Sequence, residues 1–147
     1  MEQEVLLFDL ECNSLTPTVI HCIGILNLET LEYQDYYGDT LADGILRLSK
    51  AQVLCGHNIR TFDCYWLRVL TQGLVKFENC EIIDTLELSR QLFKGLPNHK
   101  LKTWGDLLGY PKLDFTDYEN FSEDMLMYME RDVMLNYKVF KILVSLL

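Results

Sequence analysis

Glu4-Val5-Leu6-Leu7-Phe8-Asp9-Leu10-Glu11 is the stretch on which the fold turns. Residues 4–10 read as a buried strand, an apolar run that stops at two carboxylates, Asp9 and Glu11. Read as facing opposite sides of that strand, the two acids need a local twist to serve one site, or one direct and one water-mediated ligand. Residues 19–28 (VIHCIGILNL) and 31–37 (LEYQDYY) read as two further strands. A turn around Glu29-Thr30 joins them into an antiparallel, hairpin-like unit after the first strand.

The remaining segments alternate. Residues 40–50 place Leu41, Ile45, Leu46 and Leu48 at helical spacing, and 52–58 (QVLCGHN) form a short apolar strand ending in a polar turn. Thr61 is the expected cap of a helix over 62–72 that stops at Gly73. Residues 81–84 (EIID) read as a strand. Asp84 with Glu87 makes a capping-box-like start to a helix reaching residue 93. Gly95 and Pro97 break the chain before a short helix at 100–110. Residues 111–121 have no period and read as a loop. Ser122 caps a helix carrying Tyr128 and Asp132, and residues 132–147 continue or follow it as a core-packed terminal helix. Strands first, then strands alternating with helices, predict an α/β mixed sheet flanked by helices.

With 147 residues and 49% hydrophobic content, the chain can bury the core of a single domain spanning 1–147. No apolar run approaches the ~20 residues that cross a membrane, and the acidic start MEQEV is no signal peptide. Five scattered cysteines without a C-x-x-C read as reduced thiols of a cytoplasmic protein. Cys12, His21 and Cys22 have poor zinc spacing. His57 and His99 lie in no nucleophile motif, which argues against a triad hydrolase. Trp66 and Trp104 fall in helical apolar patterns and read as core.

Net charge is −9. One segment departs from it. From Arg90 to Lys102 there are four basic residues, Arg90, Lys94, Lys100 and Lys102, with His99 and no acids. It is either a phosphate-binding patch or an ordinary solvated helix end.

Four acids stand in three contexts: Asp9 and Glu11 in FDLE, Asp63 in HNIRTFD, Asp132 in YMERD. Tyr128 and Asp132 are four apart, which on a helix puts both on one face. Four acids plus a phenol suit a two-metal phosphodiester hydrolase, since carboxylates bind Mg²⁺ or Mn²⁺. Asn58 either contacts a substrate backbone or shapes its turn. Phe62 either stacks on a base or fills core.

These segments resemble, in chain order, the Exo I, Exo II and Exo III motifs of the DEDD 3′–5′ exonucleases: Asp9-Leu10-Glu11, then Asn58 with Phe62-Asp63, then Tyr128 through Asp132. Met127 stands where the histidine subclass has its histidine, so the resemblance is to the tyrosine subclass. Residues 82–93 (IIDTLELSRQLF) and 99–110 (HKLKTWGDLLGY) resemble the proofreading domain of phage family-A DNA polymerases. The resemblance implies a ribonuclease-H-like, DnaQ-like fold with the acids at one edge of the sheet. It implies release of nucleoside monophosphates from single-stranded DNA 3′ ends. Two divalent cations, Mg²⁺ or Mn²⁺, are then held by Asp9, Glu11, Asp63 and Asp132, with Asp63 organising their hydration. Tyr128 orients the attacking water, and Leu10 meets the 3′-terminal nucleotide. An exoribonuclease acting on short RNA, or a non-catalytic partner of a separate polymerase, are the alternatives. No polymerase region follows Asp132, so a free-standing enzyme, in a host cytoplasm if phage-encoded, is expected.

Overall fold

The computed structural model describes residues 3–147. Five strands form one sheet: β1 (Val5–Cys12), β2 (Ile20–Asn27), β3 (Tyr33–Tyr37), β4 (Val53–Gly56) and β5 (Glu81–Asp84). Their order across the sheet is β3-β2-β1-β4-β5. The first three pair antiparallel, while β4 and β5 run parallel to β1. Parallel neighbours need crossovers, and helices supply them. These are α1 (Leu41–Ser49) and α2 (Cys64–Leu70), followed by α3 (Thr85–Leu92), α4 (Leu101–Leu108) and α5 (Glu123–Val144).

The central strand β1 is apolar on both sides because both faces are covered. Leu6, Phe8 and Leu10 point to one face, where they meet Leu48 of α1 and Leu67 of α2. Leu7 points to the other, onto Val133 of α5. Each such side chain contributes roughly 1.5–3 kcal/mol on burial. Trp104 is buried against Leu135, Val139 and Leu143, which fixes α4 to the long helix.

Four expectations are corrected. Asp9 and Glu11 are two positions apart, so strand alternation puts them on one face and no twist is needed; the register shift comes just after them, between Glu11 and Cys12. Thr61 caps nothing: it lies inside a π turn over Ile59–Asp63 that runs into α2. Glu87 does not close a capping box. Asp84 caps α3 alone, accepting from Leu86 N–H, and Glu87 pairs with Arg60 instead. Trp66 is only half-buried, whereas Trp104 is core. Residues 123–144 form one unbroken helix capped by Ser122. All five cysteines are free thiols. No helix among the described residues is long and apolar enough to cross a membrane.

Candidate active site

The carboxylates meet where the end of β1 faces the first half of α5. Asp9 lies opposite Gly24 of β2. A Cβ at Gly24 would sit 2.6 Å from the Tyr33 hydroxyl and 3.2 Å from a Met129 side-chain carbon. Glycine here lets α5 close onto the sheet, and Asp132 sits three residues beyond Met129. Asp9, Glu11 and Asp132 each offer one oxygen, all within 4.8 Å of one another. Glu11 and Asp132 are buried and Asp9 is half-buried. Oδ1 of Asp132 is buried without a hydrogen-bond partner. Among the described residues, the cation beside it is Lys112, whose Nζ lies 3.4 Å from Asp132 Oδ2.

Burial and mutual repulsion set the protonation of this group. Desolvation, then the charge of Asp132, push the Asp9 carboxyl above its ordinary range. Desolvation, then Asp9, do the same to Glu11. Asp132 is also raised by burial, with Lys112 opposing. Three converging carboxylates, one with an orphaned oxygen, are an arrangement that an oxygen-preferring divalent cation completes. The donor set therefore fits Mg²⁺ or Mn²⁺.

Asp63 is placed differently. It is buried, and its Oδ2 accepts from the Leu10 backbone N–H at 3.2 Å. It stands outside the three-oxygen cluster and ties the π turn to the end of β1. Burial, then the charge of Asp9, hold its carboxyl well above the ordinary value. The same hydrogen bond engages the Leu10 N–H, and the Leu10 side chain is buried in the core while bordering a cavity. Asn58 has left-handed backbone, and its side-chain oxygen accepts from the Thr61 hydroxyl at 2.7 Å, so it shapes the turn. The turn is held from outside by Asp84, which accepts from the N–H groups of Asn58 and Arg60 at 2.9 and 3.0 Å. One buried carboxylate thus caps two helical starts: its cap of α3 was legible in the sequence, its hold on the π turn was not.

Tyr128 is buried one turn before Asp132. Its phenol pKa is raised, first by burial and then by Asp132, so it stays protonated. The Tyr118 hydroxyl donates to the Tyr128 oxygen at 3.2 Å. Phe115 stacks on the Tyr128 ring at 5.2 Å, and Lys112 Nζ lies 5.1 Å from its centre. His21 Nε2 is 2.9 Å from the Tyr118 carbonyl and pins the loop to β2. The aperiodic segment 111–121 is therefore the wall of the site. Sequence reading missed Lys112, Phe115 and Tyr118; the only signal was a lysine and three aromatics in a stretch without period. Beside Glu11 a cavity of about 500 Å³ is lined by Leu10, Leu15, Phe62 and Tyr118 among others. Phe62 both borders this space and packs on the core. A larger cavity, about 660 Å³, lies beside Glu4 and Arg47, at the start of β1, away from the acids.

The basic run spans the end of α3, the segment after it and the start of α4. Arg90, Lys94, Lys100 and Lys102 are all exposed, but Lys102 is paired with Asp106 at 3.4 Å. The two histidines do touch hydroxyls. His57 Nδ1 is 2.9 Å from Thr85 Oγ1, and His99 Nδ1 is 2.6 Å from Ser89 Oγ. Both hydroxyl residues are fully buried, and Ser89 also accepts from the Trp104 indole N–H. These contacts lock α3 against the 93–100 segment rather than activate a nucleophile.

No family model matches the sequence, and no curated protein matches it. Solved structures do match the fold. The family B DNA polymerase of the hyperthermophilic archaeon Pyrobaculum calidifontis superposes with a TM-score of 0.75 over 98% of this chain at 13% identity. NrnC of Brucella melitensis, in a structure with bound Mg²⁺, superposes at 0.69 over 98% at 16% identity. The fold is ribonuclease-H-like. NrnC bound to pGG gives 0.70, again over 98% of this chain. The chain spans 25% of the polymerase chain and 73% of NrnC. At these identities the likeness carries the architecture: a mixed five-strand sheet flanked by helices, shared with nucleases.

Proposed function

We propose that this chain is a divalent-metal-dependent 3′–5′ exonuclease, releasing nucleoside monophosphates from the 3′ end of single-stranded DNA. The observation that carries the reading is the convergence of Asp9, Glu11 and Asp132 within 4.8 Å, beside a protonated tyrosine and a cavity. Asp9, Glu11 and Asp132 would hold the metal, and Asp63 would fix the strand end that carries two of them. When bound, Mg²⁺ or Mn²⁺ supplies water activation and stabilisation of the departing oxygen. Tyr128 stays protonated and can donate to the attacking water while the Tyr118 hydroxyl, donating to it, sets its direction. Lys112 offers positive charge beside Asp132 where negative charge gathers at phosphorus. Leu10 and Phe62 give the cavity an apolar wall against which a terminal base can rest.

A second reading, hydrolysis of short RNA by the same residues, is favoured by the likeness to NrnC bound to pGG. The sugar of RNA differs from that of DNA by its 2′-hydroxyl, so one assay on matched oligonucleotides decides. Matched 5′-labelled DNA and RNA oligonucleotides are incubated with Mg²⁺, with Mn²⁺ and with excess EDTA. The expected result is a ladder shortening from the 3′ end, faster on DNA, absent in EDTA. Faster shortening of RNA would establish the second reading. A ladder that persists in EDTA would overturn the metal-dependent mechanism.

A further inference from the structure

The chain carries 22 acids against 13 Lys and Arg, yet one cavity is walled by three cations and no acid. It lies against the β5 edge of the sheet. Arg60 in the π turn and Arg68 in α2 are two helical turns apart, hence on one face. Lys76, from the segment between α2 and β5, comes up beside them, and Cys64, Tyr65, Phe77 and Ile82 complete the wall. Arg68 and Lys76 are exposed and have no salt-bridge partner among the described residues. Arg60 is held in position by Glu87 at 2.8 Å and by the Ile82 carbonyl at 3.3 Å. The exposed Arg60–Glu87 pair offsets the Arg60 charge, so the uncompensated positive charge of the cavity is that of Arg68 and Lys76. Arg68 and Lys76 are like charges with no salt-bridge partner among the described residues, and binding an anion between them relieves their repulsion.

Size narrows the ligand. The cavity is about 200 Å³, below the roughly 300–1,000 Å³ of sites that enclose a whole small ligand. It suits one anionic group of a longer molecule. Two arginines and a lysine are the set that recognises phosphate. The half-exposed Tyr65 ring, with the Arg68 guanidinium carbon 5.5 Å from its centre, offers a face for stacking. Arg60 stands three residues before Asp63 in the turn bound to Leu10, so the cavity is rigidly fixed relative to the acids.

We propose that Arg60, Arg68 and Lys76 form a second phosphate-binding site, which holds the backbone of a single strand away from its 3′ end. This rests on the nucleolytic reading for the direction of the strand. It gives an acidic protein a grip on a polyanion in addition to the run from Arg90 to Lys102.

The test compares wild type with Arg68→Ala/Lys76→Ala, both exposed positions outside the catalytic group. Affinity for a labelled dinucleotide and for a 12-mer single strand is measured against salt, in Ca²⁺. The melting temperature of the variant serves as the folding control. For the 12-mer, the slope of log affinity against log salt should become shallower by about 1.4, two contacts at roughly 0.7 each. Its affinity should fall on the order of tenfold at 0.1 M salt, and dinucleotide affinity should not change. Equal losses on both oligonucleotides, or an unchanged slope, overturn the proposal. In a parallel arm, inorganic phosphate and a nucleoside monophosphate are titrated by NMR. Binding of those alone, lost in the variant while 12-mer affinity stays, assigns the site to free phosphate and also overturns it. Cleavage by wild type is scored separately. A chain that binds the 12-mer through these residues but cuts nothing keeps this site and loses the nuclease reading.

Discussion

The two ends of β1 hold acids in opposite states. At the start, Glu4 accepts two bonds from the Arg47 guanidinium, at 3.0 and 2.8 Å, and one from the Asn27 amide. The Arg47 hydrogen bond holds its carboxyl below the ordinary value. At the far end, Asp9 and Glu11 face Asp132, with one lysine among three acids, and all three are raised. The same residue class supports the fold at one end and strains it at the other. Strain that persists in a packed site is a reservoir for function. The comparison also separates the two kinds of acid by what their removal should do.

The largest effect is expected from Asp9→Asn. Cleavage should fall on the order of 10³-fold or more, while the metal-free protein melts at the same or a higher temperature, because a repulsive charge is gone. Mg²⁺ should raise the melting temperature of wild type and not of this variant. A variant that unfolds would mean that Asp9 is structural. Glu4→Gln should show the reverse pattern in the same two assays, with full activity and a stability loss of about 1 kcal/mol, a partly exposed bidentate pair.

Next comes the tyrosine pair. Tyr128→Phe should lower kcat about 10–100-fold with little change in KM, the scale of a proton donor or water-positioning group. Tyr118→Phe should lower kcat less. In the Tyr128→Phe background it should have no further effect, because it acts through the lost hydroxyl. Additive losses in that double-variant cycle would show that Tyr118 contributes on its own.

Acidity should tilt the two ends in opposite directions. Glu4 has a depressed folded pKa, so its contribution is present above its unfolded pKa and is lost as pH falls. Asp9 and Asp132 have folded values raised to about 7 and about 6. The folded state then binds more protons than the unfolded state, and their contribution is full below about pH 4 and is lost as pH rises to about 7. Urea midpoints of the metal-free protein from pH 4 to 7 should fall more steeply for wild type than for Asp9→Asn. Parallel curves would show that these acids do not titrate in that window.

The smallest effect concerns the exposed basic run. Lys100→Ala/Lys102→Ala should flatten the salt dependence of strand binding by at most about 1.4 and raise KM without a matching fall in kcat. Because Lys102 is paired with Asp106, a change nearer 0.7 is expected. No change at all would place the strand elsewhere, including on the Arg60 face.

The sequence by itself determined the order of the elements and named the candidate residues of the site. A short two-sided apolar run bounded by acids reads as a covered strand, and Tyr128 and Asp132 share a helix face by spacing. Three ordered motifs named the four acids before any of them had a position. Only the tertiary structure decided which carboxylates converge. It set Asp9, Glu11 and Asp132 together and turned Asp63 aside to the Leu10 N–H, a contact 53 residues apart in sequence. It gave Asp84, the cap of α3 already read in the sequence, a second helix start to hold, and it folded the periodless 111–121 loop so that Lys112 and Tyr118 reach the site. Periodicity records which face of an element is buried. It holds no record of which side chains from distant segments meet at its end, because that depends on how the sheet, the long helix and the loop close on one another.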